Sequence, residues 1–194
     1  MCGSSEALAA LLRADPMRMR ILRCVRSLGL PDAWVAAGAV RSAVWDRAHG
    51  RPPSRSFSDV DVIWFSPGSG DDAAMQRELR QLDPTFDWSV KNQAHMHAAN
   101  HDAPYASATD AMRHWPETAT AVAARLGGGG AIAIAAPFGL ADLFGLILRP
   151  TPAFAGTRRS IMAGRVRDKR WHETWPRLRP PTGEPPGVVP ASAP

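Results

Sequence analysis

The stretch AWVAAGAVRSAVWDRAHG (residues 33–50) is followed, after a proline-rich loop, by SDVDVIWF (58–65). The first part predicts a short buried strand that ends at Gly38 and leads directly into a helix. The second part is rich in β-branched and aromatic residues, which favours another strand. Because side chains alternate along a strand, Asp59 and Asp61 are expected on one face, roughly 6.6 Å apart along the chain.

The Asp59–Asp61 pair suggests a metal site. Two neighbouring carboxylates repel each other, and Mg²⁺ is often held by one or two carboxylates together with substrate phosphates. A lone Asp-X-Asp also occurs on solvated strands, so the pair alone is a weak signal. The preceding strand, glycine and helix strengthen it. Gly38 lets the backbone approach a phosphate, the helix start offers free N–H groups, and Arg41 and Ser42 in the first turn add a guanidinium and a hydroxyl.

The rest of the chain predicts a small mixed β-sheet flanked by helices, an α/β (α+β) fold. Asp15-Pro16 forms an N-cap and first-turn proline for a helix near the start of the chain. FDWSV (86–90) alternates like a strand, and TAVAARL and AIAIAA form a hairpin around a run of glycines. Residues 140–148 are an apolar helix or strand, and residues 157–178 follow a basic helical pattern.

The composition fits one domain with accessory parts. The chain has 194 residues, 45% of them hydrophobic, which is enough for a core. We expect N-terminal helices over residues 1–30 packed on a core domain over 31–152. A basic C-terminal helix over 153–179 and a disordered tail over 180–194 are expected to follow.

The formal net charge is +5, and lysine contributes only Lys91 and Lys169 of the 23 basic residues. Such an excess of arginine has two interpretations, a GC-rich genome or a phosphate-bearing partner that arginine binds bidentately. The composition does not choose between them.

Several classes of protein are excluded by the sequence. No apolar run reaches the ~18 residues of a transmembrane helix, so no membrane partner is expected. Glu6, Arg13 and Asp15 interrupt the N-terminal apolar residues, which argues against a signal peptide. Cys2 and Cys24 are too few for a disulfide framework, and a reducing cytoplasm is the expected location. The sequence leaves the oligomeric state open.

The segment AAGAVRSAVWDRAHG…SDVDVIWF resembles the nucleotidyltransferase core of the DNA polymerase β superfamily, whose pattern is a hydrophobic residue, glycine, glycine or serine, a helix, and then Asp–hydrophobic–Asp/Glu. Further segments are similar to one bacterial branch of that superfamily. They are WSVKNQAHMH (88–97), PYASATDAMRHWPETATAVAARL (104–126), APFGLADLFGLILRPTP (136–152) and KRWHETWPRL (169–178). The resemblance implies a polymerase-β-like fold, a nucleoside triphosphate as substrate, and Mg²⁺ or Mn²⁺ as cofactor.

The chain departs from the superfamily pattern at three points. Ala39 stands where glycine or serine is usual, which removes a phosphate-binding hydroxyl that Ser42 is a candidate to replace. The spacing from Gly38 to Asp59 is longer than usual. The third carboxylate is not marked by a motif. Asp87 is the natural candidate because its strand follows next, and the alternative is an aspartate that faces solvent.

Five other residues have two interpretations each. Lys91 either contacts the nucleotide or lies in a polar turn. Glu117 lies in a structural corner or lines the site, and Asp142 is either the buried partner of an arginine or a site residue. Trp171 and Trp175 pack in the core or stack on bases.

The predicted function is transfer of a nucleoside monophosphate to an acceptor hydroxyl. Asp59, Asp61 and Asp87 would bind the metal, with Asp87 also accepting the proton of the acceptor. Gly38, Ala39, Arg41, Ser42 and Lys91 would contact the nucleotide. The acceptor is a small molecule, a protein side chain or an RNA end. The alternative is a non-catalytic nucleotide- or RNA-binding module that retains the fold.

Overall fold

The computed structural model describes residues 3–53, 57–68 and 70–182, and in them a five-stranded mixed sheet forms the centre. The strand order is β3-β2-β1-β4-β5. Only β2 and β3 pair in parallel, and the other neighbours are antiparallel. The strands are β1 (Trp34–Ala36), β2 (Val60–Trp64), β3 (Trp88–Asn92), β4 (Ala123–Leu126) and β5 (Ile132–Ala135). The predicted mixed sheet is therefore confirmed.

Helices flank this sheet, as the sequence predicts. Within the described ranges they are α1 (Ser5–Arg13), α2 (Pro16–Ser27), α3 (Gly38–Ala48), α4 (Asp72–Leu82), α5 (Met96–Asn100), α6 (Ala108–Ala111), α7 (Ala141–Phe144), α8 (Arg159–Asp168) and α9 (Trp171–Thr174). The helix α2 begins where expected, because the Asp15 side chain accepts hydrogen bonds from the backbone N–H groups of Met17 and Arg18. None of the helices in the described part of the chain has the length and apolar character needed to cross a bilayer.

The two faces of the sheet are covered by different hydrophobic clusters. On one face Val60 and Val62 of β2 pack into the main core, which also contains Leu8 of α1 and Ile21 of α2. On the other face Ile63 belongs to a smaller cluster with Trp34, Ala36, Met112 and three further alanines. Alternation along β2 therefore assigns Asp61 to the face of the smaller cluster.

The C-terminal region differs from the single helix expected over residues 157–178. The helix α8 ends at Asp168, Arg170 adopts a left-handed φ of 51°, and α9 begins at Trp171. This break turns Trp171 and Trp175 onto Trp45 of α3, where both rings form edge contacts. Both tryptophans are 2% exposed, so the segment after Arg170 is held by packing against α3.

Three other sequence predictions can be compared with the structure. The hairpin around the glycines is confirmed as β4 and β5. The apolar segment 140–148 contains only the short α7, after which Leu146 adopts a φ of 59° and the helix ends. Of the predicted disordered tail, residues 183–194 lie outside the described residues, as do residues 54–56 of the proline-rich loop.

Candidate active site

The junction of β1 and α3 is a sharp turn at Ala37. This residue has a φ of 47°, its N–H donates to the Val122 carbonyl at 3.0 Å, and its own carbonyl accepts from the Arg41 N–H at 2.8 Å. The turn allows α3 to begin at Gly38 directly after the strand. A Cβ atom on Gly38 would lie 3.0 Å from Cβ of Phe57, so the close approach of the loop before β2 favours glycine here.

Asp59 and Asp61 lie beside this junction. Asp61 pairs in register with Ala36, the last residue of β1, and with Ser89 of β3. The Asp59 carbonyl lies 4.0 Å from the Cβ position on Gly38. Both aspartates are half-buried. The structure thus brings the aspartate pair and the start of α3 together, as the sequence predicts.

Burial and the charge of Asp59 raise the pKa of Asp61 to about 6, while Arg41, Lys169 and Arg165 act to lower it. The surrounding cations therefore compensate the two carboxylates only in part. A divalent ion with oxygen ligands would supply the missing positive charge, so the donor set of Asp59 and Asp61 fits Mg²⁺ or Mn²⁺.

Arg41 lies next to this pair with 5% of its surface exposed. Its guanidinium carbon is 5.0 Å from the ring centre of Trp45 and 4.6 Å from that of Trp171. Burial lowers the pKa of Arg41 to about 10, with Glu117 opposing the shift, so the side chain stays cationic at neutral pH. Its Nε atom is buried without a hydrogen-bond partner. Such a group is suited to an anionic ligand.

Ser42 and Ala39 face a different part of the molecule. The Ser42 hydroxyl is fully buried, donates to the Gly38 carbonyl at 2.7 Å, and accepts from Nη2 of Arg18 at 2.8 Å. The Ala39 carbonyl accepts from Nε of the same arginine at 2.7 Å. The structure therefore uses both residues to join α3 to α2 and directs the Ser42 hydroxyl to Arg18 rather than to a phosphate.

The side chain of Asp87 is not gathered with the other two aspartates. Its backbone carbonyl accepts from the Val60 N–H at 2.7 Å, which keeps the main chains close. Its carboxylate is 69% exposed and lies 3.5 Å from Nη2 of Arg80 on α4. Among the described residues no three histidine, cysteine or acidic side chains form a group able to hold a metal ion. The predicted three-carboxylate site is therefore not formed, because Asp87 precedes its strand and turns toward α4.

Lys91 lies on the same sheet face as Asp61, in register with Ile63, and is exposed. The other open alternatives are resolved by packing. Arg149 donates to Asp142 at 2.9 Å, which is the structural role of Asp142. Trp171 and Trp175 are each 2% exposed and lie in the core rather than on a surface for bases.

A second charged cluster adjoins the aspartate pair. It contains Glu117, for which the sequence left a place in the site as one alternative, and it also contains Arg165 and Lys169, which the sequence did not single out. Glu117, which is 0% exposed, lies 3.3 Å from Nε of Arg165 on α8 and accepts from the Thr120 hydroxyl at 2.7 Å. Burial raises the pKa of Glu117, while Arg165, Thr120, Arg41 and Lys169 oppose the rise. Arg165 and Lys169 are one helical turn apart in a basic segment, which was the only signal available in the sequence.

Comparisons with known proteins found matches over most of the chain. A family model described as nucleotidyltransferase matches residues 23–179. A solved NMR structure described as a CCA-adding enzyme head domain is 34% identical, with a TM-score of 0.81, and the match covers 93% of this chain and 97% of that one. No functionally curated protein matches the chain significantly.

More distant solved structures share only the fold. A structure described as a tRNA-processing enzyme complex is 16% identical, with a TM-score of 0.53, covering 84% of this chain and 43% of that one. An apo form described as a tRNA-processing enzyme is also 16% identical, with a TM-score of 0.51, covering 92% and 45%. The present chain thus spans less than half of these larger proteins.

Proposed function

Because the chain belongs to a family of nucleotidyltransferases, we propose that it transfers a nucleoside monophosphate from a nucleoside triphosphate to an acceptor hydroxyl at the Asp59–Asp61 pair. The observation that carries this proposal is the position of the pair beside the start of α3 and the buried Arg41. A polar helix start, a cation and two carboxylates meet there, and these are the groups that phosphoryl chemistry needs.

Each group of the site has a distinct part in the proposed reaction. The N-terminus of α3 and Arg41 bind and orient the phosphates, so that the α-phosphorus faces the acceptor. Asp59 and Asp61 would hold a divalent ion, which supplies charge neutralisation for the phosphates and the leaving pyrophosphate. The acceptor oxygen forms the new bond to the α-phosphorus and its proton passes to solvent. Asp87 lies beside Arg80 and receives no role in this step.

We propose an RNA end as the acceptor, in preference to a small molecule or a protein side chain. The 34% identical structure is described as the head domain of an enzyme that adds CCA, which is a nucleotide sequence. The formal net charge of +5 also favours association with a polyanion.

The test is incorporation of α-labelled nucleoside triphosphates into separate pools of RNA, protein and small molecules, with Mg²⁺ or with a chelator. Asp59→Asn and Asp61→Asn are each expected to lower incorporation at least ~100-fold, since each removes a ligand of the ion. Glu78→Gln, a change to an exposed carboxylate on α4, is the matched control and should keep full activity. Labelled product in the RNA pool alone supports the proposed acceptor.

If no pool shows Mg²⁺-dependent incorporation while the protein still binds nucleoside triphosphate, the enzyme assignment fails. The chain is then a non-catalytic nucleotide- or RNA-binding module. Incorporation that survives both aspartate substitutions would also overturn the assignment of the site.

A further inference from the structure

The C-terminal segment, defined here as α8 and α9 with their connection (residues 159–174), brings cations to the aspartate pair. Arg165 on α8 is half-buried and pairs with Glu117 at 3.3 Å. Lys169 follows at the end of α8 and is exposed. Residues four apart on a helix share one face, so both cationic groups belong to the same side of α8.

Trp171 organises the two arginines at this site. Its ring centre is 4.6 Å from the guanidinium carbon of Arg41 and 5.7 Å from that of Arg165. The ring is 2% exposed, so it is held by the core. A rigid aromatic side chain thus positions one arginine from α3 and one from α8 toward a common region.

The polar atoms of this cluster are incompletely paired. Nε of Arg41 is buried without a hydrogen-bond partner, whereas Nε of Arg165 and Oε1 of Glu117 lie 3.3 Å apart as an ion pair without hydrogen-bond geometry. Burial lowers the pKa of Arg41, Glu117 opposes this shift, and the charge of Arg165 lowers the pKa further. Placing the two arginines close together is therefore unfavourable. A buried cationic group without a hydrogen-bond partner, as at Arg41, is expected where an anion binds.

The charges of the whole cluster are formally balanced. Three cations face three carboxylates, namely Arg41, Arg165 and Lys169 against Asp59, Asp61 and Glu117. A divalent ion at the aspartates adds two positive charges, and a polyphosphate then restores the balance. The cations of α8 are therefore suited to phosphate rather than to a further metal ion.

We propose that Arg165 and Lys169 bind the phosphates of the nucleotide, so that the C-terminal segment forms a wall of the phosphate site beside the start of α3. This proposal rests on the proposed function for the position of the nucleotide. Glu117 holds Arg165 in place through its ion pair.

The test is calorimetric binding of inorganic tripolyphosphate with Mg²⁺ to the full chain, because this probe carries the phosphates without a base or sugar. Lys169→Gln and Arg165→Gln are each expected to weaken binding about 10-fold, as is typical of a lost charge-assisted contact. The matched control is Arg167→Gln on the same helix, whose side chain is 73% exposed and 3.8 Å from Asp168. It should change the affinity less than about twofold.

Arg165→Gln removes the partner of a buried glutamate, so its circular dichroism and melting temperature are measured alongside. Lys169 is exposed, so its substitution is not expected to affect folding. The Lys169→Gln variant therefore tests the proposal even if Arg165→Gln does not fold. Unchanged tripolyphosphate binding in Lys169→Gln and in folded Arg165→Gln overturns the proposal. Absence of tripolyphosphate binding to the unsubstituted protein overturns it as well.

The two proposals fail in different ways. If the unsubstituted protein transfers nucleotide and both variants bind tripolyphosphate normally, the inference on α8 fails and the proposed function stands. If no transfer is found but Lys169→Gln weakens tripolyphosphate binding, the phosphate site stands and the proposed reaction fails.

Discussion

At the scale of single residues, Asp61 is placed where its charge is unfavourable. Burial and the neighbouring Asp59 raise its pKa to about 6, and the nearby cations only partly offset these effects. A group that destabilises the folded state in this way is common at sites where a ligand completes the charge balance. A cation that binds to the folded protein at this position would raise the free energy of unfolding.

We predict that Asp61→Asn stabilises the protein in a chelating buffer. Removing one of two repelling, half-buried carboxylates should raise the free energy of unfolding by about 1–3 kcal/mol near pH 8. The measurement is chemical denaturation with EDTA and then with Mg²⁺. Added Mg²⁺ should stabilise the unsubstituted protein and have little effect on the variant. A less stable variant in EDTA would contradict this account of the site.

At the scale of secondary-structure elements, Arg18 connects α2 to α3. It is 2% exposed, forms an ion pair with Asp15, and donates to the Ala39 carbonyl and the Ser42 hydroxyl at 2.7 and 2.8 Å. These hydrogen bonds tie polar groups near the start of α3 to α2. The helix that offers its N-terminus to the site is thereby held by a buried polar network.

We predict that Arg18→Met lowers the free energy of unfolding by about 3 kcal/mol. Methionine fills much of the space but leaves Asp15 buried without its cation and Ser42 without its donor. The matched control is Arg23→Met on the same helix, where the side chain is exposed and the change should be within about 0.5 kcal/mol. Equal stability of the two variants would show that the network contributes nothing.

At the scale of the whole molecule, the C-terminal segment and the N-terminal helices belong to one hydrophobic core. The main cluster contains Leu8 and Leu12 of α1 together with Trp171 and Trp175. The indole N–H of Trp175 donates to Asp46 of α3 at 2.8 Å. Residues from both ends of the described chain therefore stabilise the helix next to the site.

We predict that Trp171→Ala destabilises the whole protein by about 3–5 kcal/mol, because it leaves a large cavity beside Trp45. Far- and near-ultraviolet circular dichroism should report one shared unfolding transition at lower denaturant concentration. Ile161→Ala on α8, where the side chain is 56% exposed, is the comparison and should change stability little. Separate transitions for the two signals would mean that the segment unfolds independently.

Local patterns were sufficient for much of this architecture. The Asp15-Pro16 cap, the glycine hairpin and the strand that begins directly after Asp59 and carries Asp61 follow from residues within a few positions of one another. Backbone geometry at such short range is set by capping, turn chemistry and side-chain alternation. The approach of Gly38 to the aspartates lies beyond that range, since α3 and the proline-rich loop separate them and the pairing of β1 with β2 brings them together.

Distant contacts were decided by the tertiary structure. The partner of Ser42 proved to be Arg18, Asp87 turned to Arg80, and Glu117 met Arg165 from a helix 48 positions later. No local sequence pattern encodes these pairs. They form only when helices and strands that are distant in the sequence pack against each other, which requires the intervening loops to close. By itself the sequence determined the sheet, the start of α3 and the aspartate pair. Packing decided which other charges reach that pair, since Trp171 and Trp175 pack against Trp45 of α3 and α8 directly precedes them in the chain.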